Sequence, residues 1–486
     1  MAEIVAEFLD GQQANSCPPN VDWSDKKGHG ELDQFVVNEN LMDQAIQQTN
    51  NNNTDDPYGI CAADLKGVYG AIKQQLISVT KQSFDEANVP ASIKKVHIIM
   101  LPKPPKKPDK PQNLRPINLA SVILKLMERV AILQLLPHLG EGSNEKREIC
   151  AGLIDSYFSK QQGGFRKGHG TAQGLLRITQ VIQKFLSTGS GGIVLALDFA
   201  KAFDTVPHDK LLESIKDAKI MGRAGEWVQS WAQYGQYEVK IGDKFSKPRE
   251  IRSGVRQGSC LGPLCFIIFI NSLIESLLEV SKKINQSSTF KSLDGRCYLQ
   301  VYADDITLMI QFPQTGRTED RISITQKIIQ DYLDVCSEWS KKWGLWFNPS
   351  KCEFVTIGTK RANVDLNIYL YDDKPIKKAD RIKILGLIIE GHKANPFGKM
   401  ISEARRKMQF SHSRLKTLFN LPNYKLMNNL YWSIIVANSL YASPSWNTEI
   451  FPCDIKGNRL DVVTKENGET VPVSYTHLTL PTIYSV

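Results

Sequence analysis

The sequence predicts an α+β fold, because segments with the periodicity of helices and of strands alternate without a regular strand–helix–strand repeat. Long segments carry apolar residues at helical spacing, and shorter apolar runs are bounded by turn residues. In the middle of the chain two short runs, residues 299–302 and 306–310, are separated by Ala303, Asp304 and Asp305, which predicts a β-hairpin. A central hairpin favours an α+β architecture over a doubly wound parallel sheet.

The individual elements follow in chain order from the same periodicity. Helical spacing predicts helices over residues 64–87, 121–136, 261–280, 322–343 and 401–421, the last of them rich in basic residues. Short apolar runs predict strands over residues 96–101, 193–197, 354–357 and 382–389, in addition to the hairpin. Pro137 is expected to end the second helix, and the proline-rich segment 102–111 fits neither a helix nor an inner strand.

Charge divides the chain into an acidic leader and a basic body. Residues 1–56 contain eleven Asp and Glu against two Lys, whereas the remaining residues carry 58 basic and 40 acidic side chains, a net charge of +18. The leader also includes the low-complexity run QQTNNNNT, and we expect it to be disordered because it offers little apolar surface to bury. The basic body favours a polyanionic partner, with nucleic acid first among the candidates.

Several classes of protein are excluded by what the sequence lacks. The most apolar stretch, residues 264–280, is interrupted by Asn271, Ser272 and Glu275, so no membrane span is expected. The first residues, MAEIVAEFLD, do not have the basic and apolar regions of a signal peptide. Nine scattered cysteines without a CxxC pair predict free thiols in a reducing, intracellular compartment rather than disulfides or a zinc site.

Acidic residues at the ends of short apolar strands are the main chemical signal. Asp198 ends the run IVLALD, and Asp304 and Asp305 occupy the predicted hairpin turn. Carboxylates in such a setting need a positive partner, and Mg²⁺ prefers one or two carboxylates together with substrate phosphates. Two such ions about 3.5–4 Å apart would suit phosphoryl transfer. Taken alone, the tetrapeptide YADD is an equally good candidate for a solvated acidic turn.

A series of motifs in a fixed order indicates that these acidic residues belong to a functional site and not to a solvated turn. The sequence resembles the reverse transcriptases of non-LTR (LINE-type) retrotransposons, and most of all the jockey-like elements. The resemblance covers residues 57–420 and rests on the segments DFAKAFDTV at 198–206, SGVRQGSCLGPL at 253–264, YADD at 302–305, LPK at 101–103 with NLRPIN at 113–118, QGGFRKGHGT at 162–171, GLWFNPSKCEFVTIG at 344–358 and KILG at 383–386.

The resemblance implies a right-hand polymerase fold with an antiparallel sheet in the palm. It divides the chain into fingers at residues 57–192, a palm with interlaced finger elements at 193–390, and a thumb at 391–450 that would follow the primer–template duplex. The acidic leader, 1–56, precedes these domains, and residues 451–486 form a tail of uncertain origin. The last sixteen residues contain no charged side chain, and we expect residues 471–486 not to be native.

The resemblance also implies a metal site and a catalytic group. Asp198 and Asp304 would bind both metal ions, Asp305 would contribute less directly, and Phe199 would offer its backbone carbonyl. Lys351 would lie near the leaving pyrophosphate and could act as its general acid. The two-metal scheme needs no histidine, so His208 is expected to have no catalytic role.

Further residues are implied to contact the nucleotide and the template. Lys103 and Arg115 would reach the triphosphate of the incoming nucleotide, and the ring of Phe203 would exclude a ribose 2′-OH. Phe199, Gln257 and Gly258 would line the nucleotide pocket. In addition, Arg166 and Lys167 would hold the template backbone by sequence-independent electrostatic contacts.

The function that the resemblance implies is RNA-directed DNA polymerisation. The protein would extend the 3′-OH of a DNA primer with dNTPs on an RNA template, using Mg²⁺ or Mn²⁺. Partners would include an endonuclease carried by the complete element, for which this sequence is expected to have no room, and no membrane. The activity would be nuclear.

Two other functions are compatible with the sequence. One is a polymerase of the same plan that makes RNA, which the aromatic ring of Phe203 opposes. The other is a catalytically inactive, RNA-binding remnant of a retrotransposon. The turn DDPYGI at residues 55–60 departs from the turn that is usual in the family, which favours such a remnant. The presence of the carboxylates Asp198, Asp304 and Asp305 argues against it.

Overall fold

The computed structural model describes most of the chain up to the tenth helix. The described residues are 1–13, 21–24, 31–102, 110–140, 157–233, 235–286, 296–313, 317–358, 364–391, 393, 395–416, 463–464 and 470–471. They divide into two units that interleave along the sequence. The first unit comprises Met1–His169, Asp198–Val280 and Tyr332–Asn348, and the second comprises Gly170–Leu197, Ser281–Asp331 and Pro349–Val486.

Ten α-helices lie in the described part of the chain. They are α1 (Ala2–Asp10), α2 (Glu39–Gln47), α3 (Ala62–Asp85), α4 (Val122–His138), α5 (Thr171–Ser187), α6 (His208–Asp217), α7 (Gly222–Ala232), α8 (Gly262–Gln286), α9 (Thr318–Trp343) and α10 (Gly398–Lys416).

The strands are mostly short. They are β1 (Lys95–Pro102), β2 (Leu114–Ala120), β3 (Gly192–Leu197), β4 (Gln236–Ile241), β5 (Lys244–Phe245), β6 (Arg249–Glu250), β7 (Cys297–Tyr302), β8 (Asp305–Gln311), β9 (Glu353–Ile357), β10 (Tyr369–Leu370), β11 (Lys374–Pro375), β12 (Lys377–Lys378), β13 (Arg381–Ile384), β14 (Leu387–Glu390), β15 (Val463–Thr464) and β16 (Thr470–Val471).

The first unit is built around a sheet with the strand order β2-β1-β4-β5, on which β6 also pairs with β4. β1 is antiparallel to β2 and parallel to β4. Helix α1 packs on this sheet through Val5 and Ala6, which are fully buried in one cluster with Val96 and Val239. The long apolar helix α8 also belongs largely to this unit. It is apolar enough to cross a membrane by composition, but 67% of its most apolar window is buried, as in a core helix.

The second unit contains the sheet that carries the acidic hairpin. Its strand order is β12-β9-β3-β8-β7, and the central strand β3 is antiparallel to both β8 and β9. Helix α5 covers the sheet with an amphipathic face that includes Ile178, Ile182 and Phe185, each with no exposed surface, and these pack on Val194 and Met309. Both β3 and β8 are buried along almost their whole length, as expected for inner strands of a covered sheet.

The observed elements confirm the prediction of an α+β fold with antiparallel pairs, and they refine several boundaries. Pro137 lies inside the last turn of α4, which ends one residue later. The single strand expected at 382–389 is a hairpin of β13 and β14, because Leu385 and Gly386 have positive φ angles of 47° and 86° and reverse the chain. The predicted basic helix at 401–421 corresponds to α10 up to Lys416, beyond which it lies outside the described residues.

The acidic leader differs from the expected disordered segment in the parts that the structure describes. Residues 2–10 and 39–47 form helices α1 and α2. The acidic side chains of these helices pair with basic residues of the body: Glu3 lies 2.5 Å from Arg249, and Asp43 lies 3.0 Å from Lys73. Overall composition could not reveal this complementarity, since it averages over a few well-placed apolar and charged residues.

Candidate active site

In the sheet of the second unit, the acidic motifs occur where β3 ends and where β8 begins. β3 ends at Leu197, which pairs with Ile306 of β8. The next residue along the chain from Leu197 is Asp198, and the residue before Ile306 is Asp305. Asp198 therefore directly follows, and Asp305 directly precedes, two residues that are partners in the sheet.

The YADD tetrapeptide forms the tight turn between β7 and β8. Tyr302 pairs with Asp305, so Ala303 and Asp304 are the two turn residues. Ala303 has a φ of 54° and is only 5% exposed. A positive φ is uncommon for a residue with a Cβ and occurs often at functional sites, where the surroundings hold the backbone in place. Asp304 is half-buried and Asp305 is exposed.

The chain after β3 is held by a second set of contacts, within the first unit. The backbone N–H of Asn348 donates to the carbonyl oxygen of Asp198 at 2.8 Å. The ring of Phe199 is buried and stacks on Phe347 with centroids 4.1 Å apart. The carbonyl oxygen of Phe199 accepts a hydrogen bond from the N–H of Lys201 at 3.1 Å, which leaves its second lone pair for another partner.

Lys351 is brought to the same end of the second unit's sheet. It is exposed and precedes β9 by two residues. The first residue of β9, Glu353, pairs with Ala196, the penultimate residue of β3. The start of β9 therefore lies beside the end of β3, and a lysine ammonium in this position can offset the charge of the acidic end of the sheet.

Phe203 is held on two sides by aromatic rings of the first unit. It stacks on Phe266 of α8 with ring centroids 4.4 Å apart, and its edge meets Phe165 at 5.9 Å. It remains half-buried rather than enclosed. These ring contacts restrict the orientation of Phe203, while part of the side chain stays accessible to solvent.

The loop that contains Gln257 and Gly258 approaches β2 closely. The N–H of Asn118 donates to the carbonyl oxygen of Gln257 at 2.8 Å, and Gln257 Nε2 donates to Asp204 Oδ1 at 2.8 Å. Gly258 has a φ of 110°, and a Cβ at this position would overlap the carbonyl oxygen of Asn118. Glycine is thus required here for both its conformation and its size. The role of Asp204 was missed, although it lies inside the motif DFAKAFDTV.

The basic residues predicted to bind nucleotide or template occupy different environments. Arg115 is exposed on β2, opposite Leu101, whereas Lys103 lies outside the described residues. The guanidinium of Arg166 donates to the carbonyl oxygens of Ser159 and Gln162, at 2.9 and 3.1 Å. These bonds stabilise the loop that carries Arg166.

Lys167 differs from Arg166 in being exposed. Its backbone carbonyl lies 3.1 Å from Nδ1 of His169, which stabilises the same loop without using the ammonium group. Of the two basic residues predicted to hold the template, Lys167 therefore has the more accessible charge.

One group of three potential metal ligands with ligand atoms close together occurs in the described part of the chain, and it does not include Asp198, Asp304 or Asp305. Single ligand atoms of Asp55, Cys61 and Asp64 lie within 4.8 Å of one another. Cys61 and Asp64 form a reciprocal cap at the start of α3, since each side chain accepts a hydrogen bond from the other residue's backbone N–H. This helix cap accounts for the cluster without a metal ion.

Carboxylates at the ends of paired antiparallel strands are ligands of the kind that two-metal nucleotidyl transfer requires, and the site therefore indicates this class of enzyme. Comparison with known sequences then specifies the family. The chain belongs to the reverse transcriptase (RNA-dependent DNA polymerase) family, whose profile matches residues 102–389. Its similarity to polymerases of non-LTR retrotransposons confirms the resemblance seen in the sequence.

Individual relatives are polymerases of insect mobile elements. The chain is 27% identical over 336 residues to the probable RNA-directed DNA polymerase from transposon BS of Drosophila melanogaster, which covers 68% of this chain and 33% of the relative. The corresponding enzyme from X-element of the same species is 24% identical over 75% of this chain and 36% of its own length. The RNA-directed DNA polymerase from mobile element jockey of Drosophila funebris is 25% identical over 71% and 34%. The chain thus spans about a third of the length of these relatives.

Proposed function

We propose that this chain catalyses RNA-directed DNA synthesis, in which a primer 3′-OH attacks a dNTP on an RNA template and pyrophosphate leaves. The observation that carries the proposal is the register of β8 with β3 and with β7, in which Leu197 pairs with Ile306 and Tyr302 pairs with Asp305. Three carboxylates are adjacent to these pairs in the sequence: Asp198 follows Leu197, and Asp304 and Asp305 lie between Tyr302 and Ile306. Membership of the reverse transcriptase family supports the same activity.

The donor set fits hard divalent cations. Carboxylate oxygens and a backbone carbonyl are the ligands that Mg²⁺ prefers, and soft ligands are not needed. Asp198 and Asp304 would hold the ions, with Asp305 beside them and the carbonyl of Phe199 as a further ligand. When bound, Mg²⁺, or Mn²⁺ as a substitute, would lower the pKa of the attacking hydroxyl and neutralise charge on the phosphates.

Other side chains would orient the substrates and move a proton. Lys103 and Arg115 would bind the triphosphate, Lys351 would donate a proton to the leaving pyrophosphate, and Lys167 would contact the template backbone. Arg166 would support that template contact by fixing the loop.

The pocket for the incoming nucleotide would be lined by residues that the first unit holds rigidly. Gln257 and Gly258 would form one wall, beside the buried Phe199. Phe203 would exclude the ribose 2′-OH, because its ring is fixed by stacking on Phe266.

The complete assembly extends beyond the residues that the structure describes. We infer fingers at residues 57–192, a palm at 193–390 and a thumb at 391–450, by analogy with the family. An RNA template, a DNA primer and dNTPs would be the substrates, and an endonuclease of the complete element would supply the primer end. DNA synthesis at a chromosomal site would take place in the nucleus.

A primer-extension assay tests this function directly. The assay uses an RNA template, a DNA primer, dNTPs and Mg²⁺, and it compares the wild type with Asp304→Ala. We expect extension by the wild type and a loss of about a thousandfold or more in the variant, since the variant lacks a metal ligand.

A second aromatic-Asp-Asp turn in the same unit provides the control. Tyr371, Asp372 and Asp373 form the turn between β10 and β11, which make up a separate two-stranded sheet. Asp373→Ala removes an exposed carboxylate, which pairs with Lys374 at 2.8 Å, and we expect it to leave synthesis unchanged. Background synthesis by the wild type, with RNA binding intact, would instead identify an inactive RNA-binding remnant.

A further inference from the structure

A buried carboxylate on α4 has no role in the active site described above. Glu128 has no exposed surface, and a charge in such a position is costly unless it is well hydrogen-bonded. Its Oε1 accepts a hydrogen bond from Trp231 Nε1 at 2.7 Å. Its Oε2 accepts from Ser259 Oγ at 3.0 Å and from the backbone N–H groups of Cys260 and Leu261, at 2.7 and 3.4 Å. Both oxygens are therefore satisfied, one of them by three consecutive residues of a single loop.

These bonds place the Glu128 carboxylate at the start of α8. The first N–H groups of a helix have no partner within the helix, and the positive end of the helix dipole attracts a negative charge. Ser259 Oγ accepts hydrogen bonds from the N–H groups of Leu261 and Gly262, at 3.1 and 3.0 Å, while it donates its own hydrogen to Glu128. Glu128 thus completes the cap of α8 from another helix.

The other side of the same loop is anchored by the same tryptophan. Arg256 is 4% exposed, and its Nη2 donates to the carbonyl oxygen of Trp231 at 3.0 Å. Its guanidinium also lies 5.6 Å from the centre of the Trp231 ring. Gln257 and Gly258 are consequently the two residues between an anchored Arg256 and an anchored Ser259.

We propose that Glu128 is a positioning residue for nucleotide binding, which holds Gln257 and Gly258 in the conformation that receives the incoming dNTP. The carboxylate does not touch the nucleotide and acts through the start of α8 and through Trp231. The proposal rests on the proposed function, because this loop binds a nucleotide only if the chain is a polymerase. Loss of the anchor would widen the range of loop conformations, and the binding-competent fraction would fall.

The variant Glu128→Gln tests the anchor with little change in volume. The glutamine side chain has one acceptor oxygen, and its NH₂ group is a donor. Because the partners of Glu128 are donors as well, the NH₂ group cannot bond to them, and the charge-assisted hydrogen bonds are lost. We expect the KM for dNTP to rise about tenfold, with kcat and the KM for primer–template changed by less than about threefold. Amide hydrogen exchange in residues 257–262 is expected to become faster in the same variant, and this readout needs no catalytic activity.

A second tryptophan of α7, the helix that carries Trp231, provides a matched control. Trp227 is buried on α7 like Trp231, and its Nε1 donates to Ser83 Oγ at 2.9 Å, with no connection to the loop. Trp227→Phe removes a buried hydrogen bond of the same kind, so it is expected to lower the melting temperature without changing the KM for dNTP. Trp231→Phe is expected to raise that KM.

Three results would overturn the role of Glu128. The first is a KM for dNTP in folded Glu128→Gln that equals that of the wild type. The second is an amide exchange rate in residues 257–262 of Glu128→Gln that equals that of the wild type. The third is a KM for dNTP that rises as much in Trp227→Phe as in Trp231→Phe, which would indicate a general loss of stability. Faster exchange in Glu128→Gln combined with no DNA synthesis by the wild type would contradict the proposed function while supporting the anchor.

Discussion

The ring of Phe203 stacks on the ring of Phe266, with centroids 4.4 Å apart and planes inclined by 19°. Phe266 belongs to the buried face of α8 and has no exposed surface, so it is a rigid platform. Phe203 lies five residues after Asp198 and is only half-buried. The ring of Phe203 is therefore held by the core on one side and remains partly accessible from outside.

Replacing Phe203 by Ala is expected to relax the discrimination between dNTPs and rNTPs. The ring would no longer occupy the space that a 2′-OH needs, so kcat/KM for rNTPs relative to dNTPs should rise by about tenfold or more. Primer extension with a single rNTP or dNTP measures this ratio. A ratio equal to that of the wild type, with DNA synthesis retained, would show that Phe203 serves packing alone.

The matched control for Phe203→Ala is Phe266→Leu. This change removes the stacking between the two rings but keeps the ring of Phe203. Such stacking contributes about 0.5–1.5 kcal/mol to the free energy of unfolding, in addition to the effect of area burial. We expect a loss of stability with at most a small change in the nucleotide ratio. A large change in that ratio would mean that the orientation of the ring, and not its presence alone, determines sugar selection.

Gly258 is expected to tolerate no side chain. Alanine would have to adopt a φ near 110° and would overlap the carbonyl oxygen of Asn118, so the loop would have to move. We expect Gly258→Ala to abolish detectable dNTP binding in extension kinetics while the protein remains folded by circular dichroism. Wild-type kinetics in this variant would contradict the role of the loop.

A second glycine separates conformational strain from steric overlap. Gly242, in the turn between β4 and β5, has a φ of 59° and no atom within 4 Å of a Cβ at its position. Gly242→Ala should cost about 1–2 kcal/mol of stability through the left-handed backbone alone. Extension kinetics are expected to stay at the wild-type level in this control.

The parts of the site that could be predicted from sequence are those in which neighbours in the chain are neighbours in space. Asp304 and Asp305 share one hairpin turn, and Asp198 directly follows the strand that pairs with that hairpin. A short apolar run with an acidic end indicates such a place, and the order of the surrounding motifs distinguishes it from a solvated turn. Gly258 could be predicted for a different reason, because a glycine inside a motif is typical of a close backbone approach, although its partner Asn118 lies far away in the chain.

Long-range hydrogen bonds are what the sequence could not reveal. The partners of Glu128 lie 103 to 133 positions away in the chain, and nothing in the apolar pattern of α4 distinguishes this glutamate from a residue on a solvated face. The leader was misjudged for a related reason. Its average composition is polar, yet the few apolar residues of α1 meet a cluster on β1 and β4 that forms only in the folded protein.

Docking of α1 is expected to depend on salt and on pH. Arg249 forms ion pairs with Glu3 and Asp10, at 2.5 and 3.5 Å, on a partly exposed surface where salt screens such pairs. The backbone N–H of Lys247 and the Arg249 guanidinium lower the pKa of Glu3 below its ordinary value of 4.5. A lowered pKa stabilises docking above about pH 4.5, and this contribution is lost as the pH falls through the folded-state pKa.

Amide hydrogen exchange in residues 2–10 measures this docking. Arg249→Gln should accelerate exchange at low salt, and the difference from the wild type should shrink as salt rises. Lys81→Gln, which removes an exposed pair with Asp85 on α3, is the control and should leave α1 protected. Equal exchange in Arg249→Gln and the wild type at low salt would show that Val5 and Ala6 alone hold α1.

His208 is expected to make stability depend on pH while taking no part in catalysis. The imidazole is 3% exposed, and its Nε2 lies 3.0 Å from the carbonyl oxygen of Gly254. Burial lowers the pKa of His208 to about 4; the Gly254 carbonyl and Asp209 act in the opposite direction, and the charge of Arg256 lowers the pKa further. The ring is therefore neutral in the folded protein at neutral pH, and Nε2–H donates to Gly254.

Between the ordinary pKa of 6.5 and the folded-state pKa of about 4, the unfolded chain binds a proton that the folded protein does not. The free energy of unfolding should consequently fall as the pH is lowered through this range, by up to about 1.4 kcal/mol per pH unit from this group. His208→Gln keeps a donor for Gly254 but cannot be protonated, so its stability in urea denaturation should fall less steeply. Parallel profiles for the two proteins would contradict this assignment.

The same variant separates a structural histidine from a catalytic one. Loss of a general acid or base typically lowers kcat by about 10²–10⁴-fold. Because the His208 ring is bonded to the backbone and enclosed by the core, we expect kcat of His208→Gln to stay within about threefold of the wild type at pH 7.5. A hundredfold loss of kcat in a variant of wild-type stability would require a proton-transfer role for His208, and the metal-based scheme would then need a protein general base.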